Sequence, residues 1–405
     1  MRRFRFIGAL LALLLLAGCS AQTTQLITIA SLSPLKAGNI ANGTAIRNGA
    51  EMALLEEGPA LANLGITLRF TALDDEGNPD VGPAVTVRAV KADPSLLAIV
   101  GTYNSGVVIP TSAAIKPYNV AIVSPANTGV VVTDRLLPNV NRIVGRDDLQ
   151  GAAVARFVRF TLQAPSLYIV HDELTYGAGF ADQVYREAQR LGLKVDAVAE
   201  ITHDARHPAD PELKVADAAA NEAKFKKAQE VVEWIATANS PAVFYGGEVE
   251  GAALIVRLMR EKGLKAAFIS GDGIDNSSFQ KIAGAASDGV YYTTVANPVY
   301  DTAAGRVWAD RYKAQYKSPP EAYAVYGYDS MMVILKAITD WVQKNPGRTL
   351  SREAFMTQVR QTSGFVGIAT QVTFDHKGDN RDAQLYLLQV QRAKRPYPGF
   401  LLGNG

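Results

Sequence analysis

Two apolar runs of strand length, Leu97–Val100 and Val120–Val123, each end in small polar residues. Between them Val107–Tyr118 carries apolar residues at mixed helical spacing. Continuous apolar strands are buried on both faces, as in a parallel sheet covered by helices. The chain is therefore committed here to a strand–loop–helix–strand unit, with both strand ends on the same edge. Ligands of such sheets sit beyond the carboxyl ends of the strands, and Ser105, Gly106, Ala126 and Thr128 fall there. A hydroxyl beside free N–H groups at a helix start can cradle a carboxylate or a phosphate. A serine in that position also caps its own helix routinely. The repetition of a hydroxyl after two consecutive strands keeps the binding reading open beside the capping one.

The same alternation runs through most of the chain. Strands are expected at Leu26–Leu32, Ile66–Leu73, Val140–Val144, Leu167–Val170, Leu193–Ile201, Ala242–Tyr245, Ala266–Ile269, Gly289–Val295, Thr370–Phe374 and Ala383–Val390. Helices are expected at Thr44–Glu57, Val81–Val90, Asp147–Leu162, Phe180–Leu191, Phe225–Ala238, Val249–Lys262, Thr302–Tyr316, Glu321–Gln343 and Ser351–Gln361. That order is an α/β protein built on parallel sheets. Asp74-Asp75-Glu76-Gly77 reads as a solvated acidic turn after a strand. Residues 203–221 are polar and hold Pro208 and Pro211, so they read as a surface loop or insertion. His203, Asp204, His207 and Asp210 lie in it, but zinc-binding His pairs at that spacing sit on helices and Pro208 opposes one. No metal site is expected.

The first residues concern location. Arg2, Arg3 and Arg5 precede Ile7–Leu16, an apolar run of about ten residues, which is too short for a membrane-spanning helix and reads as a signal-peptide core. Leu16-Ala17-Gly18-Cys19 resembles the lipobox of bacterial lipoproteins, in which the cysteine is lipidated and becomes the new N-terminus. Residues 1–18 are thus the expected signal peptide and 19–25 a polar tether behind the lipid on Cys19. Cys19 is the only cysteine, so disulfides and thiolate metal sites are excluded within the body. Removing residues 1–18 takes away three arginines and no acid, so 41 basic residues become 38 against 39 acidic, a formal charge of −1. A near-neutral surface gives no support for nucleic-acid binding. The length of 405 residues exceeds what one core usually manages, and two domains are expected.

Enzyme signatures are missing from the sequence. There is no Gly-x-Ser-x-Gly elbow and no phosphate-binding Gly-x-x-x-x-Gly-Lys-Ser/Thr loop. Gly177-Ala178-Gly179 lacks the third glycine of a dinucleotide fingerprint. No cofactor is implied.

Several short motifs, weak singly, form an ordered set: Gly49-Ala50-Glu51, Asp74-Asp75 with Pro79, Gly101 with Ser105, and Pro125-Ala126 with Thr128. His171-Asp172 with Tyr176-Gly177, Tyr245-Gly246-Gly247, Gly271-Asp272-Gly273 and Phe374-Asp375-x-x-Gly378-Asp379 continue it. Over residues 26–395 the chain resembles the branched-chain amino-acid binding proteins of ABC importers, which have the type I periplasmic binding protein fold. The resemblance implies two lobes joined by three crossovers, with ligand closed between them. Lobe one would comprise 26–143 plus 297–364, and lobe two 144–296 plus 365–395.

By the same resemblance, Ser105, Thr128 and nearby N–H groups hold a ligand carboxylate. The carbonyl of Ala126 and the acid of Asp272 take an ammonium, and Tyr176 is an aromatic that reaches the ligand. Glu248 and Asn42 stand where leucine binders carry aromatic residues, and Tyr103 and Asn104 replace less polar groups. A pocket for an aliphatic side chain is lined mostly by apolar groups. The polarity here leaves room for a more polar amino acid, an amide or a urea-like compound. The implied protein is a monomeric, exported lipoprotein without catalytic activity, anchored through Cys19, that binds an amino-acid-like ligand. Its partners would be the membrane subunits of an ABC permease; the other reading is a two-lobed sensor that signals to a membrane receptor.

Overall fold

A computed structural model of the chain describes residues 24–210, 217–391 and 395–404. The expected signal peptide, Cys19 and part of the 203–221 stretch lie outside the described residues. β1 (Gln25–Ser33) pairs in parallel with β2 (Ile66–Asp74) on one side and β3 (Leu96–Gly101) on the other. β4 (Ala121–Ser124) and β5 (Val140–Arg142) extend this sheet, also in parallel, giving the order β2-β1-β3-β4-β5. Every residue of β3 and β4 is buried, as continuous apolar runs require. Helices cover both faces: Ile27 and Ile29 of β1 enter one core, Ala30 and Leu32 the other.

The second sheet has the order β14-β13-β10-β9-β8-β6-β7. Its strands are β6 (Ser166–Asp172), β7 (Lys194–Ile201), β8 (Ala242–Gly246), β9 (Ala267–Ser270), β10 (Tyr291–Thr294), β13 (Tyr386–Gln391) and β14 (Arg395–Asn404). β7 through β10 are mutually parallel, whereas β13 and β14 are antiparallel additions at the β10 edge. Residue parity again divides two cores, with Tyr168, Val170, Val243 and Tyr245 on one face and Leu167, Ile169, Ala242 and Phe244 on the other. Two mostly parallel sheets flanked by helices form the type I periplasmic binding protein fold.

The chain passes between the sheets three times: after β5, after β10 and before β13. After β10 it returns to the first sheet, where helix Ala324–Lys344 packs along helix Ile40–Ala62. The returning segment explains why the first core contains Trp308, Tyr326 and Phe355. Among the described residues no helix is long and apolar enough to cross a membrane.

Four local expectations change. Helix Thr175–Arg190 begins five residues before the expected Phe180; Gly177 and Gly179 hid its first turn by breaking the apolar periodicity. Helix Ala218–Ala238 starts inside the stretch read as a loop, and its Asn221 holds the backbone of Arg206 through both amide atoms. Helix Asp147–Arg156 stops short of Leu162 and widens into a π-helical turn over Phe157–Thr161. Thr370–Phe374 is not a strand of either sheet, since only Gln371–Val372 pairs, with Phe365–Val366.

Candidate functional site

The loops after β3 and β4 are fastened to each other by one side chain. Asn127 accepts from the Thr102 N–H at 3.2 Å and the Ser124 hydroxyl at 2.7 Å, and donates to the Tyr103 carbonyl at 2.8 Å. Arg142, fully buried, donates to the carbonyls of Asn127 and Gly129 at 2.9 and 2.8 Å. Ser105 is the first residue of helix Ser105–Ile115, and its hydroxyl accepts from the Gly129 N–H at 3.2 Å. It is therefore not the cap of that helix, a position held by Asn104. Thr128 is buried near Asp147, and its hydroxyl makes no well-aligned hydrogen bond among the described residues.

From the second sheet come the acids. Asp272 follows β9, and its carboxylate accepts from the Gln150 amide at 2.7 Å, the Tyr176 hydroxyl at 2.9 Å and the Tyr323 hydroxyl at 2.7 Å. Tyr176 also accepts from the Gly273 N–H at 3.0 Å, so its proton is directed at Asp272. Burial raises the pKa of Asp272, while the bonds from Tyr323, Gln150 and Tyr176 oppose the rise. Gln150 bridges Asp272 to Asp147, whose pKa is pushed up to about 8 by burial and then by the Asp272 charge. Gly271 has an extended backbone that any residue adopts, φ −119°, so no turn requires a glycine there. Its reason is close approach: a Cβ there would stand 2.0 Å from the Phe180 ring, and one on Gly273 2.3 Å from the Gly247 carbonyl oxygen.

These two walls enclose a cavity of about 260 Å³. Tyr103, Asn104, Ser105, Ala126 and Thr128 line it from the first sheet's side, and Tyr176, Glu248, Asp272 and Gly273 from the second's. Eight of the ten residues singled out in the sequence thus border one space. The other two do not. Asn42 is buried behind the cavity and donates to the Tyr103 hydroxyl at 3.3 Å, next to Asn39 at 3.2 Å. Gly106 lies where the halves touch, and a Cβ on it would sit 3.2 Å from the Thr175 hydroxyl oxygen.

Glu248 stands just before helix Val249–Glu261 and accepts a short hydrogen bond from the Asn104 amide across the cleft. Burial pushes its pKa up to about 8, with Glu250 and Asp172 adding to the rise. Gln150, Tyr323 and Asn127 escaped sequence reasoning. Each acts on a residue distant in the chain, and nothing in its local pattern marks it.

The arrangement offers hydroxyls and N–H groups at one end and carboxylates at the other, the complement of a small zwitterion. Comparison with known proteins gives the same direction. The family model described as periplasmic binding protein matches residues 26–395. The Leu/Ile/Val-binding protein homolog 1 of Brucella abortus (strain 2308) is 30% identical over 380 residues, covering 94% of each chain. Among solved structures, the leucine binding protein LivK of Thermotoga maritima matches with a TM-score of 0.76 at 24% identity, covering 93% of this chain and 98% of that one. The substrate binding protein LivJ of Streptococcus pneumoniae, in complex with isoleucine, matches with a TM-score of 0.77 at 19% identity, covering 94% and 100%.

Proposed function

Because this chain belongs to the periplasmic binding proteins, we propose that it is the extracytoplasmic substrate-binding component of an ABC importer. It captures an amino acid, either of the branched-chain kind or a more polar amino acid or amide, and delivers it to the permease subunits. The observation that carries this reading is the cavity between the sheets, with Ser105 and Thr128 on one wall and Asp272 on the other. A buried charge needs a partner, and an amino acid supplies both signs. Its carboxylate would meet Ser105, Thr128 and neighbouring N–H groups; its ammonium would meet Asp272 and the Ala126 carbonyl.

In this reading the lobes are 26–143 plus 297–364 and 144–296 plus 365–395, and they close about the three crossovers. No chemistry is performed on the ligand. The protein works as a monomer, held at the membrane by lipid on Cys19 behind the 19–25 tether. The test is a thermal-shift screen of the chain without its signal peptide against amino acids and amides. A ligand at a hundred times its Kd stabilises by about 2.7 kcal/mol, which shifts the melting temperature by several degrees. If no amino acid or amide moves the melt, the reading is wrong.

A further inference from the structure

We propose that Glu248 selects the ligand's side chain, and that the ligand is an α-amino acid bearing a basic side chain; this rests on the reading of the cavity as an amino-acid site.

A zwitterion brings one charge of each sign. The hydroxyl end and Asp272 answer those two, and Glu248 is left over as a second carboxylate in the same lining. No Lys, Arg or His lines the cavity among the described residues. On that side Arg206 reaches Asp210 and Glu250 at 3.0 Å each, and the His203 ring faces Glu173 at 3.2 Å. Beside Glu248 the Asn104 side-chain oxygen is buried and has no hydrogen-bond partner among the described residues. Its amide nitrogen is already given to Glu248. The end of the cavity therefore presents acceptors, and an aliphatic side chain there would strip water from a carboxylate without replacing it. A neutral branched ligand is thereby disfavoured and a cationic hydrogen-bond donor favoured.

There is also room for a long side chain. Asn104 and Glu248 form part of the wall of a second space, which opens to solvent. Glu76, Asp204 and Glu250 line it together with His203 and with Arg206, whose guanidinium is paired with Glu250. A flexible basic chain that outgrows the first cavity passes Glu248 and enters surroundings of favourable sign. The titratable groups that act on Glu248 are Glu250, Asp172, Tyr103 and Tyr245, all acids or phenols, while the Asn104 amide donates to it. With these neighbours, closure without a ligand pushes the Glu248 pKa up to about 8, and a cation closed in beside it lets the carboxylate stay ionised.

Calorimetry on the chain without its signal peptide decides the matter, with L-arginine, L-lysine, L-ornithine, L-leucine and L-glutamine as probes at pH 7. The expected result is that one of the three basic amino acids binds at least tenfold tighter than leucine and glutamine. Glu248→Gln then weakens it by tenfold or more. Glu248→Leu should narrow or invert the preference over leucine, and melting curves check that both variants fold. If leucine or glutamine binds within threefold of every basic amino acid, or tighter, this inference falls while the proposed function stands. It falls equally if a basic amino acid binds best but Glu248→Gln costs less than threefold. If none of the five probes binds the wild-type chain, this inference falls, and the thermal-shift screen against all amino acids and amides decides the proposed function separately.

Discussion

Replacing Asp272 by asparagine tests the electrostatic core of the site. The substitution keeps size and removes a charge at a residue only 4% exposed. The three donors around the carboxylate, from Gln150, Tyr176 and Tyr323, can reorganise: hydroxyls rotate, and Gln150 can turn its side-chain oxygen, which has no hydrogen-bond partner among the described residues. Folding should therefore survive. Binding should not. Removing one member of a buried charge pair costs about 2–5 kcal/mol. Asp272 is harder to ionise than an exposed aspartate, because burial raises its pKa. Part of the pairing energy is consumed in ionising it, which brings the expected loss to the lower half, about 2–3.5 kcal/mol. That is a fall in affinity of roughly thirty- to four-hundred-fold. The same reasoning sets the pH dependence. The ligand ammonium requires the ionised acid, so wild-type affinity should rise with pH as Asp272 ionises, and that rise should be lost in Asp272→Asn. Titration calorimetry of the best amino-acid ligand between pH 5 and 8 reads both. A loss under about threefold, or an unchanged pH slope, would refute the ammonium assignment.

Three further outcomes are expected. Small-angle scattering should show compaction when ligand is added, because the crossovers act as hinges; an unchanged radius with ligand bound would remove the closing mechanism. Cys19→Ala should release the protein from membranes while leaving ligand binding intact, and persistence in a salt-washed membrane fraction would defeat the lipid anchor. Asp75 is fully buried, with a pKa pushed up to about 7 by burial against the opposing Gly77 N–H bond. Its folded pKa lies above the unfolded one, so its contribution to stability is present below about 4 and lost as pH rises through about 7. Asp75→Asn should raise the melting temperature by about 1–3 °C at pH 8 and not at pH 5, and equal effects at both would contradict the burial argument.

Much of this was legible in the sequence, for a local reason. The inner strands β3, β4, β6 and β8 are short, largely apolar runs ended by polar or glycine residues, and burial on both faces leaves little other composition open to them. The ends of β3 and β4 could therefore be found, and with them Ser105 and Thr128. Groups that act across the chain left no such trace. Tyr323 meets Asp272 across 51 positions and Gln150 across 122. The Asp375-x-x-Gly378-Asp379 motif could be recognised by resemblance, but its physics is visible only in three dimensions. One Asp375 oxygen accepts the N–H groups of Lys377, Gly378 and Asp379. Gly378 has φ +95°, and a Cβ on it would come within 2.2 Å of the Val140 carbonyl oxygen. The turn thereby delivers Asp379 to Arg142 at 2.6 Å, beside the first crossover. Its partner is 237 residues away, which no local pattern encodes.

The contacts across the cleft suggest why occupancy and closure would be coupled. Tyr323 reaches Asp272, Asn104 reaches Glu248, and Ser277 reaches Glu321, each pair joining one half to the other. None of these bonds needs a ligand, so on their own they would favour an empty closed state. The acids oppose it. Asp147 and Glu248 are pushed up to about 8 and Asp275 to about 7 by burial, and Asp272 is raised as well. Asp272 and Glu248, which line the cavity, would be better hydrated in an open cleft, so closing an empty one forces protons onto them or charge into a dry interior. A ligand cation removes that penalty for the acids it touches, while the cross-cleft bonds remain as they were. The difference between the empty and filled closed states is thus electrostatic and is concentrated at Asp272 and Glu248. On that argument the two acids set ligand affinity and the closing equilibrium together, and a substitution that neutralises them should populate a closed, empty form.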